Sequence, residues 1–493
     1  MQRSLTAILL ISLSAVLHAQ PDTAWVYNYG TPFSEDFGDM TQTADSGFAI
    51  IGTSNNECLG LNDMYFIKTG ADRTVRWSRA YGGAGSEKGR SLVSTFDGGY
   101  ALAGFTNSFG NGGYDGYIVR INSWGNIIWS RTLGGSNWDF IYSIAQTGDS
   151  GFVVCGETYS FGNGGKDAYA VRLDKNGNTV WTKTYGGAAD DLGSKIMLFS
   201  DTAFAMIGET QSFGAGNRDF YLLLLDSYGN AFQTRTYGST RADYGLGLDT
   251  TSDGGFILVG MTDSLNTGNE QSYIVKIDNL ANETWSRINN VVTRDVVQTP
   301  DNGYAVSGRC SACGSGGKGL YMMRLDANGW WMAGPAFGGS GDEEGYSVIR
   351  TIDGGLLFAG TTTSYGQGNE DIYTVYVKRD TIVMNYTLSI ANYSDTISCA
   401  VGLPSILPDE QAASLYPNPA QEHITISHPY INSSNKKITF FVTDMLGKEV
   451  MSVISDQNNF VLHRGDLSPG TYLYTFLDQD NHVLSRGKFV FLD

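Results

Sequence analysis

A short marker recurs seven times along this chain. It reads Asp45-Ser46-Gly47-Phe48, Asp97-Gly98-Gly99-Tyr100, Asp149-Ser150-Gly151-Phe152, Asp201-Thr202-Ala203-Phe204, Asp253-Gly254-Gly255-Phe256, Asp301-Asn302-Gly303-Tyr304 and Asp353-Gly354-Gly355-Leu356. The steps are 52, 52, 52, 52, 48 and 52 residues. A period near 50 is the signature of a supersecondary unit that buries its apolar face only against its neighbours, which confines the chain to a solenoid or a ring. Each copy carries four strand-like runs and no helical period. In the third copy they are Ser143 to Thr147, Phe152 to Thr158, Asp167 to Leu173 and Asn178 to Tyr185, with a hairpin signal at Asp174-Lys175-Asn176-Gly177. Four-stranded units repeated about an axis are propeller blades, and seven lies in the usual range.

The seventh copy loses the pattern after its third strand, Asp371 to Val377. The missing piece stands at the other end: Ala24-Trp25-Val26-Tyr27-Asn28-Tyr29-Gly30 matches Val180-Trp181-Thr182-Lys183-Thr184-Tyr185-Gly186 at a shift of 156, three periods. This strand is therefore expected as the fourth of the last blade, with Trp25 beside the strand that starts at Asp371, because an open ring leaves unpaired edges. The expected fold class is all-β: a seven-bladed β-propeller over 24–380, a linker over 381–412 with a strand or two near Met384 to Ile390, and a small β-sandwich over 413–493.

Residues 1–19 read as a secretory signal peptide, with Arg3, an apolar run from Leu5 to Leu17 and a small residue, Ala19, at the cleavage point. The run is too short to span a bilayer, and no other stretch is long and apolar enough for a transmembrane helix. Lys+Arg number 32 against 50 Asp+Glu, a net charge of −18. That excess argues against nucleic acid and against an anionic membrane surface. The five histidines are His18, His423, His428, His463 and His482. The propeller thus holds no Ser-His-Asp triad and no His-ligated metal.

From Ser414 the repeat ends. Leu415-Tyr416-Pro417-Asn418-Pro419, Asp444-Met445-Leu446-Gly447-Lys448, Leu467-Ser468-Pro469-Gly470-Thr471-Tyr472 and Gly487-Lys488-Phe489-Val490 follow in that order. They resemble the type A sorting domain of the type IX secretion system, with Tyr416, Pro417, Asn418, Pro419, Gly447, Gly470 and Tyr472 as the sorting motif. The final Phe491-Leu492-Asp493 departs from the basic ending common in that family. The resemblance implies a Bacteroidetes-type bacterium, passage through the periplasm and across the outer membrane, a partner in the type IX machinery, and in most members removal of the domain. The 52-residue units resemble bacterial extracellular β-propeller repeats, a family without one shared activity, so function does not follow from fold.

Two patterns are candidate binding residues. Ten residues before the marker Asp stand Glu35, Glu87, Asp139, Asp191, Asp243 and Glu343; the sixth copy is shorter and has Asp295 nearby. They are expected in the loop from each fourth strand into the next blade, bordering the channel. There they form either an acidic mouth for Ca²⁺ or caps for their own loops. The loop between second and third strands, on the same face, carries Phe109, Phe161, Phe213 and Tyr365 beside glycines. These rings either meet a glycan or protein ligand or tuck between blades.

Asp63, Asp115, Asp167, Asp219 and Asp371 read as structural, and Trp77, Trp129, Trp181 and Trp285 as blade packing. Cys155 is expected buried and free, and Cys310 and Cys313 are expected to form a local disulfide, as suits an exported chain. Cys58 and Cys399 could pair. The expected function is an exported propeller for binding, adhesion or scaffolding, without cofactor. The alternative is a carbohydrate-active hydrolase or lyase using carboxylates such as Glu343 and Glu344.

Overall fold

A computed structural model describes residues 24–55, 59–263, 270–311, 317–377, 389–394, 398–401, 414–416, 420–427, 438–443, 449–455, 457, 459–465, 467–477 and 483–492. The signal peptide expected at 1–19 lies outside these residues. The chain forms two compact units, Met1–Leu403 and Pro404–Asp493.

Among the described residues the first unit holds seven sheets built on four antiparallel strands, taken in order along the chain as blades 1 to 7. Blade 3 is typical: Asp139–Gln146, Phe152–Thr158, Asp167–Leu173 and Thr179–Tyr185 pair in sequence. Its second and third strands are buried at nearly every residue. Both faces of a blade are covered by neighbouring blades, so these strands are continuous apolar runs rather than alternating ones. The first strand starts four residues earlier than the repeat suggests. A β-bulge between Ile141 and Ser143 shifts the register and lets pairing continue back to Asp139. The same bulge recurs in all seven blades.

Seven apolar clusters join the blades, each shared by two consecutive ones. The last closes the circle, packing Tyr27, Tyr29, Ile372 and Tyr376 of blade 7 against Phe37, Phe48, Ile50 and Tyr65 of blade 1. The unit is a β-propeller, and its amino-terminal strand completes the final blade. Ala24–Gly30 pairs antiparallel with Asp371–Val377, setting Trp25 opposite Tyr376. The stretch 381–412, expected as a linker, contributes two strands to this unit. Ser389–Ser394 adds to blade 7 in parallel with Ala24–Gly30, and Ser398–Val401 adds to blade 1 in parallel with Val75–Gly82. Unpaired N–H and C=O groups on those outer edges draw the returning chain.

The marker Asp clamps the turn after the first strand in six blades; blade 4 has Phe199 where the others have the donating Thr. Asp97, Asp149, Asp253, Asp301 and Asp353 accept a hydrogen bond from the Thr two residues earlier at 2.5–2.7 Å. A side chain from the third strand reaches several of them, as in Lys276–Asp253 at 2.8 Å and Arg324–Asp301 at 2.6 Å. The strand-four tryptophans pack between blades: Trp129 Nε1 donates to Lys175 O at 3.1 Å and Trp181 Nε1 to Ser227 O at 2.9 Å. Cys155 is buried and free, and burial pushes its thiol pKa up. Cys310 is disulfide-bonded. Cys313 and Cys58, and the side chain of Cys399, lie outside the described residues.

The second unit is two packed sheets. One joins Ser414–Tyr416, His423–Ser427 and Asn459–His463; the other joins Glu449–Ser455, Ile438–Thr443, Gly470–Leu477 and Val483–Phe491. Ile424, Ile426, Phe440, Phe476 and Phe489 form its core. Of the sorting motif, Tyr472 is buried and donates to Ser468 O at 2.6 Å, while Pro417, Asn418, Pro419 and Gly447 lie outside the described residues.

Candidate binding surface at the channel mouth

Glu35, Glu87, Asp139, Asp191, Asp243 and Glu343 do not line an open mouth. Each is the first residue of a first strand and is at most 1 % exposed. Each carboxylate accepts from the loop that precedes it. Gly83 N donates to Glu87 at 2.8 Å, Gly135 N to Asp139 at 2.8 Å, Gly187 N to Asp191 at 2.9 Å and Gly339 N to Glu343 at 3.0 Å. Thr31 N donates to Glu35 at 2.9 Å and Ser239 N to Asp243 at 2.6 Å. Hydroxyls supply the rest, such as Ser160 on Asp139 and Ser212 on Asp191, both at 2.6 Å. The acids are buried because loop N–H groups without a strand partner need an acceptor. In blade 6, Val291 holds the register position. Asp295 aligns instead with Asp39, one residue past the bulge. Among the described residues no group of three or more His, Cys, Asp or Glu could share a metal ion.

The loop aromatics lean on their own blades. Phe109, Phe161, Phe213 and Tyr365 lie 5.7, 6.0, 5.9 and 5.8 Å from the rings of Tyr117, Tyr169, Tyr221 and Tyr373. The following Gly110, Gly162, Gly214 and Gly366 take φ of 102–104°, which a glycine adopts without strain. Phe161 and Phe213 keep 44 % and 45 % of their surface in solvent. Their repetition in four blades fits a framework role.

What differs from blade to blade is the residue just after each acid, the bulge residue, and the strand-two partner. After the acid stand Asp36, Lys88, Phe140, Leu192, Tyr244, Val292 and Glu344. The bulge residues are Gly38, Arg90, Tyr142, Ser194, Leu246, Arg294 and Tyr346. The strand-two partners are Thr53, Phe105, Glu157, Glu209, Met261, Arg309 and Thr361. A constant scaffold thus presents a non-repeating ring of side chains at the end of the channel where the loops lie. Sequence reading missed this ring by following constant positions; the position after each acid, with seven different residues, is the signal that locates it.

The ring is polar and largely self-paired. Lys166–Glu157 is 2.6 Å, Arg294–Glu344 2.7 Å, Arg309–Glu344 3.2 Å and Lys88–Asp36 3.6 Å, and Arg218 pairs with Glu209. Burial alone would raise the Glu344 pKa, but the hydrogen bond and charge of Arg294, with Arg309, outweigh it and hold the carboxyl below its ordinary range. Glu344 therefore carries no proton for a general acid near neutral pH, and Glu343 beside it is buried in its loop.

Within the ring, a cavity of about 100 Å³ is lined by all seven first strands, at the bulge residues and the positions that follow them. Its wall repeats one contact between blades. Asp39 accepts from Leu92 N at 3.3 Å, Ser91 from Ile144 N at 3.3 Å, Ser143 from Ile196 N at 3.2 Å and Asp295 from Val348 N at 3.1 Å. In blade 4 the position is Lys195, which reaches Asp295 two blades away at 2.5 Å. Burial pushes the Asp39 pKa up to about 6 in spite of Lys195, with Asp295 adding to the rise.

Ring closure, recurring caps and a variable mouth define a β-propeller in which a repeating scaffold carries non-repeating positions at one end of the channel. At the other end of the chain, residues 414–490 are a secretion system C-terminal sorting domain. That domain marks export through the periplasm to the outer-membrane surface or the extracellular space by the type IX route. Among the described residues no helix is long and apolar enough to cross a membrane. No curated protein sequence matches the chain.

Solved structures similar to it include BamB of Moraxella catarrhalis, at 12 % identity and TM-score 0.38, covering 69 % of this chain and 85 % of that one. PorZ, an essential surface component of the type IX secretion system of Porphyromonas gingivalis, matches at 12 % identity and TM-score 0.41, covering 93 % of this chain and 59 % of PorZ. The WD40 domain of Neurospora crassa Pan2 matches at 12 % identity and TM-score 0.43, covering 73 % and 90 %. The fold assignment rests on this chain's own strand pairing.

Proposed function

We propose that the protein is a secreted or surface-held binding module whose contact face is the non-repeating ring at the loop end of the channel. The observation that carries this reading is the break in symmetry. All blades share the same kind of apolar cluster, and six of them the buried cap and six the turn clamp, yet at three positions per blade they differ, and those positions share one face. Contact residues on rigid elements, not on the loops alone, give such a face fixed geometry. Residues 1–19 serve as the signal peptide, and the carboxyl-terminal unit meets the type IX machinery of a Bacteroidetes-type host.

The test is binding of the purified chain to immobilised polysaccharides, collagen and fibronectin. It compares Arg294→Ala/Tyr346→Ala on the mouth with Trp124→Ala/Tyr228→Ala on distant turn tips. Loss with the first pair alone supports the reading; loss with the second pair alone overturns it.

A further inference from the structure

One sector of the mouth gathers five aromatic rings in contact with one another, where the other sectors mix charged, small and aliphatic residues with the single rings of Tyr244 and Tyr346. Phe105 and Tyr114 of blade 2 meet Trp138, Phe140 and Tyr142 of blade 3. Phe105 and Phe140 are edge-on at 4.9 Å, Trp138 is perpendicular to Tyr114 at 6.1 Å and to Phe140 at 6.2 Å, and Phe140 stacks with Tyr142 at 6.3 Å. At the position of Trp138 other blades carry Ser34, Ser86, Asp190, Ala242 and Asp342. Trp138 keeps 54 % of its surface in solvent although its ring is held on several sides. A Cβ at Gly113 would collide with its indole nitrogen, so the glycine is what lets the indole lie on the blade 2 loop. This is a seated aromatic platform and not a mobile side chain.

Its surroundings fix the kind of ligand. Tyr142 donates to Glu157 at 3.0 Å, and Glu157 is paired with Lys166. On the other side Arg90 lies over the Phe105 ring at 5.7 Å and within 3.9 Å of Asp36. The charges bordering the platform are thus engaged in ion pairs, Glu157 with Lys166 and Asp36 with both Arg90 and Lys88, leaving fixed hydrogen-bonding groups whose charge is largely met within the protein. An aromatic face carries negative quadrupole density and attracts the weakly positive C–H groups of a sugar ring, while flanking polar groups satisfy hydroxyls.

Resting on the mouth as the contact face, we infer that the Trp138 indole, braced edge-to-face by Tyr114 and Phe140, is the stacking platform for a pyranose ring of a neutral glycan. The bordering polar pairs fix its hydroxyls. An acidic glycan or a phosphate would find no unpaired cation among these bordering groups, and a basic peptide no unpaired anion.

The experiment uses the full chain and a panel of neutral oligosaccharides (β-glucan, xylan, mannan and galactan fragments) in titration calorimetry, with Trp138→Ala, Trp138→Phe and, as a framework control, Phe161→Ala. One neutral series is expected to bind, about tenfold or more weaker in Trp138→Ala and partly restored in Trp138→Phe. Phe161→Ala is expected to bind as the parent does, and 50 against 500 mM NaCl to leave affinity unchanged. Saccharide binding that ignores Trp138 overturns the platform. So does a requirement for an acidic sugar, or displacement only by aromatic peptides. Binding of another partner that Arg294→Ala/Tyr346→Ala removes, with no saccharide bound, overturns the platform and leaves the contact face standing. Saccharide binding that neither Trp138 nor any mouth substitution affects overturns both.

Discussion

Lys195 of blade 4 and Asp295 of blade 6 meet at 2.5 Å within the channel, past the small Gly247 of blade 5. Blades 1, 2, 3 and 6 each accept the next blade's backbone at this level. Lys195 substitutes a spoke for that rim contact, tying together sheets that are not neighbours.

Lys195→Met leaves the Asp295 and Asp39 carboxylates facing each other without the cation between them. Removing one partner of a buried pair costs about 3–5 kcal/mol, and partial access of channel solvent to Lys195 reduces this to roughly 1–3 kcal/mol. The urea midpoint should fall accordingly at pH 7.5. An unchanged midpoint would show that the spoke contributes nothing.

Stability should peak in mildly acidic solution. Asp39 and Asp371 have folded pKa values raised to about 6, both chiefly by burial, with Glu35 the next cause at Asp371. A raised carboxyl binds a proton more readily folded than unfolded, so its contribution is present at about pH 4 and is lost as pH rises through 6, by up to roughly 2–3 kcal/mol per group. The turn acids Asp45, Asp253 and Asp301 run the other way. Burial would raise them, but Lys68, Lys276 and Arg324 bring them down to about 2. Their contribution holds above about pH 4 and is lost as pH falls through 2, and it is small because these carboxylates are mostly exposed. Asp39→Asn should flatten the alkaline limb of stability measured from pH 4 to 8. A limb that stays as steep sinks the assignment.

Asp139→Ala should cost about 2–3 kcal/mol, since it leaves the Gly135 N–H and the Thr158 and Ser160 hydroxyls without their acceptor. Because these acids are already engaged by donors, millimolar Ca²⁺ or EDTA should leave the melting temperature of the parent unchanged. A rise with Ca²⁺ that Asp139→Ala removes would reinstate the acids as a cation site.

Deleting residues 20–30 should open the ring. Val26, Tyr27 and Tyr29 are buried in the clusters on either side of blade 7, and losing them costs at least about 5 kcal/mol. A synthetic peptide spanning 22–30 should restore a cooperative transition when added in excess. A truncated chain as stable as the parent would contradict the closure.

The four-stranded unit, its strand order and the closure by the first strand could be read from the sequence because each has a repeating physical cause. The marker Asp clamps a turn, Phe152 to Thr158 has neighbours on both faces, and Trp25 repeats Trp181. The bulge was not legible, since residues as unlike as Gly38, Arg90 and Tyr142 occupy it, and without it the acids fall in the loop. A strand is expected near Met384 to Ile390 and one runs Ser389–Ser394, but its parallel pairing, like the strand Ser398–Val401, depends on edges contributed by distant residues and was not legible. The contact ring escaped for the same reason that makes it a candidate: its positions vary where a repeat search looks for sameness.

Synthesis from the amino end delivers Ala24–Gly30 first and, of the propeller's paired blade strands, Asp371–Val377 last. Until the second segment arrives, the propeller has no latch, and every earlier sheet must stack without its circle being drawn tight. Cooperative locking is therefore deferred to the end of the propeller's synthesis, and a chain cut short anywhere before Val377 carries an orphaned first strand.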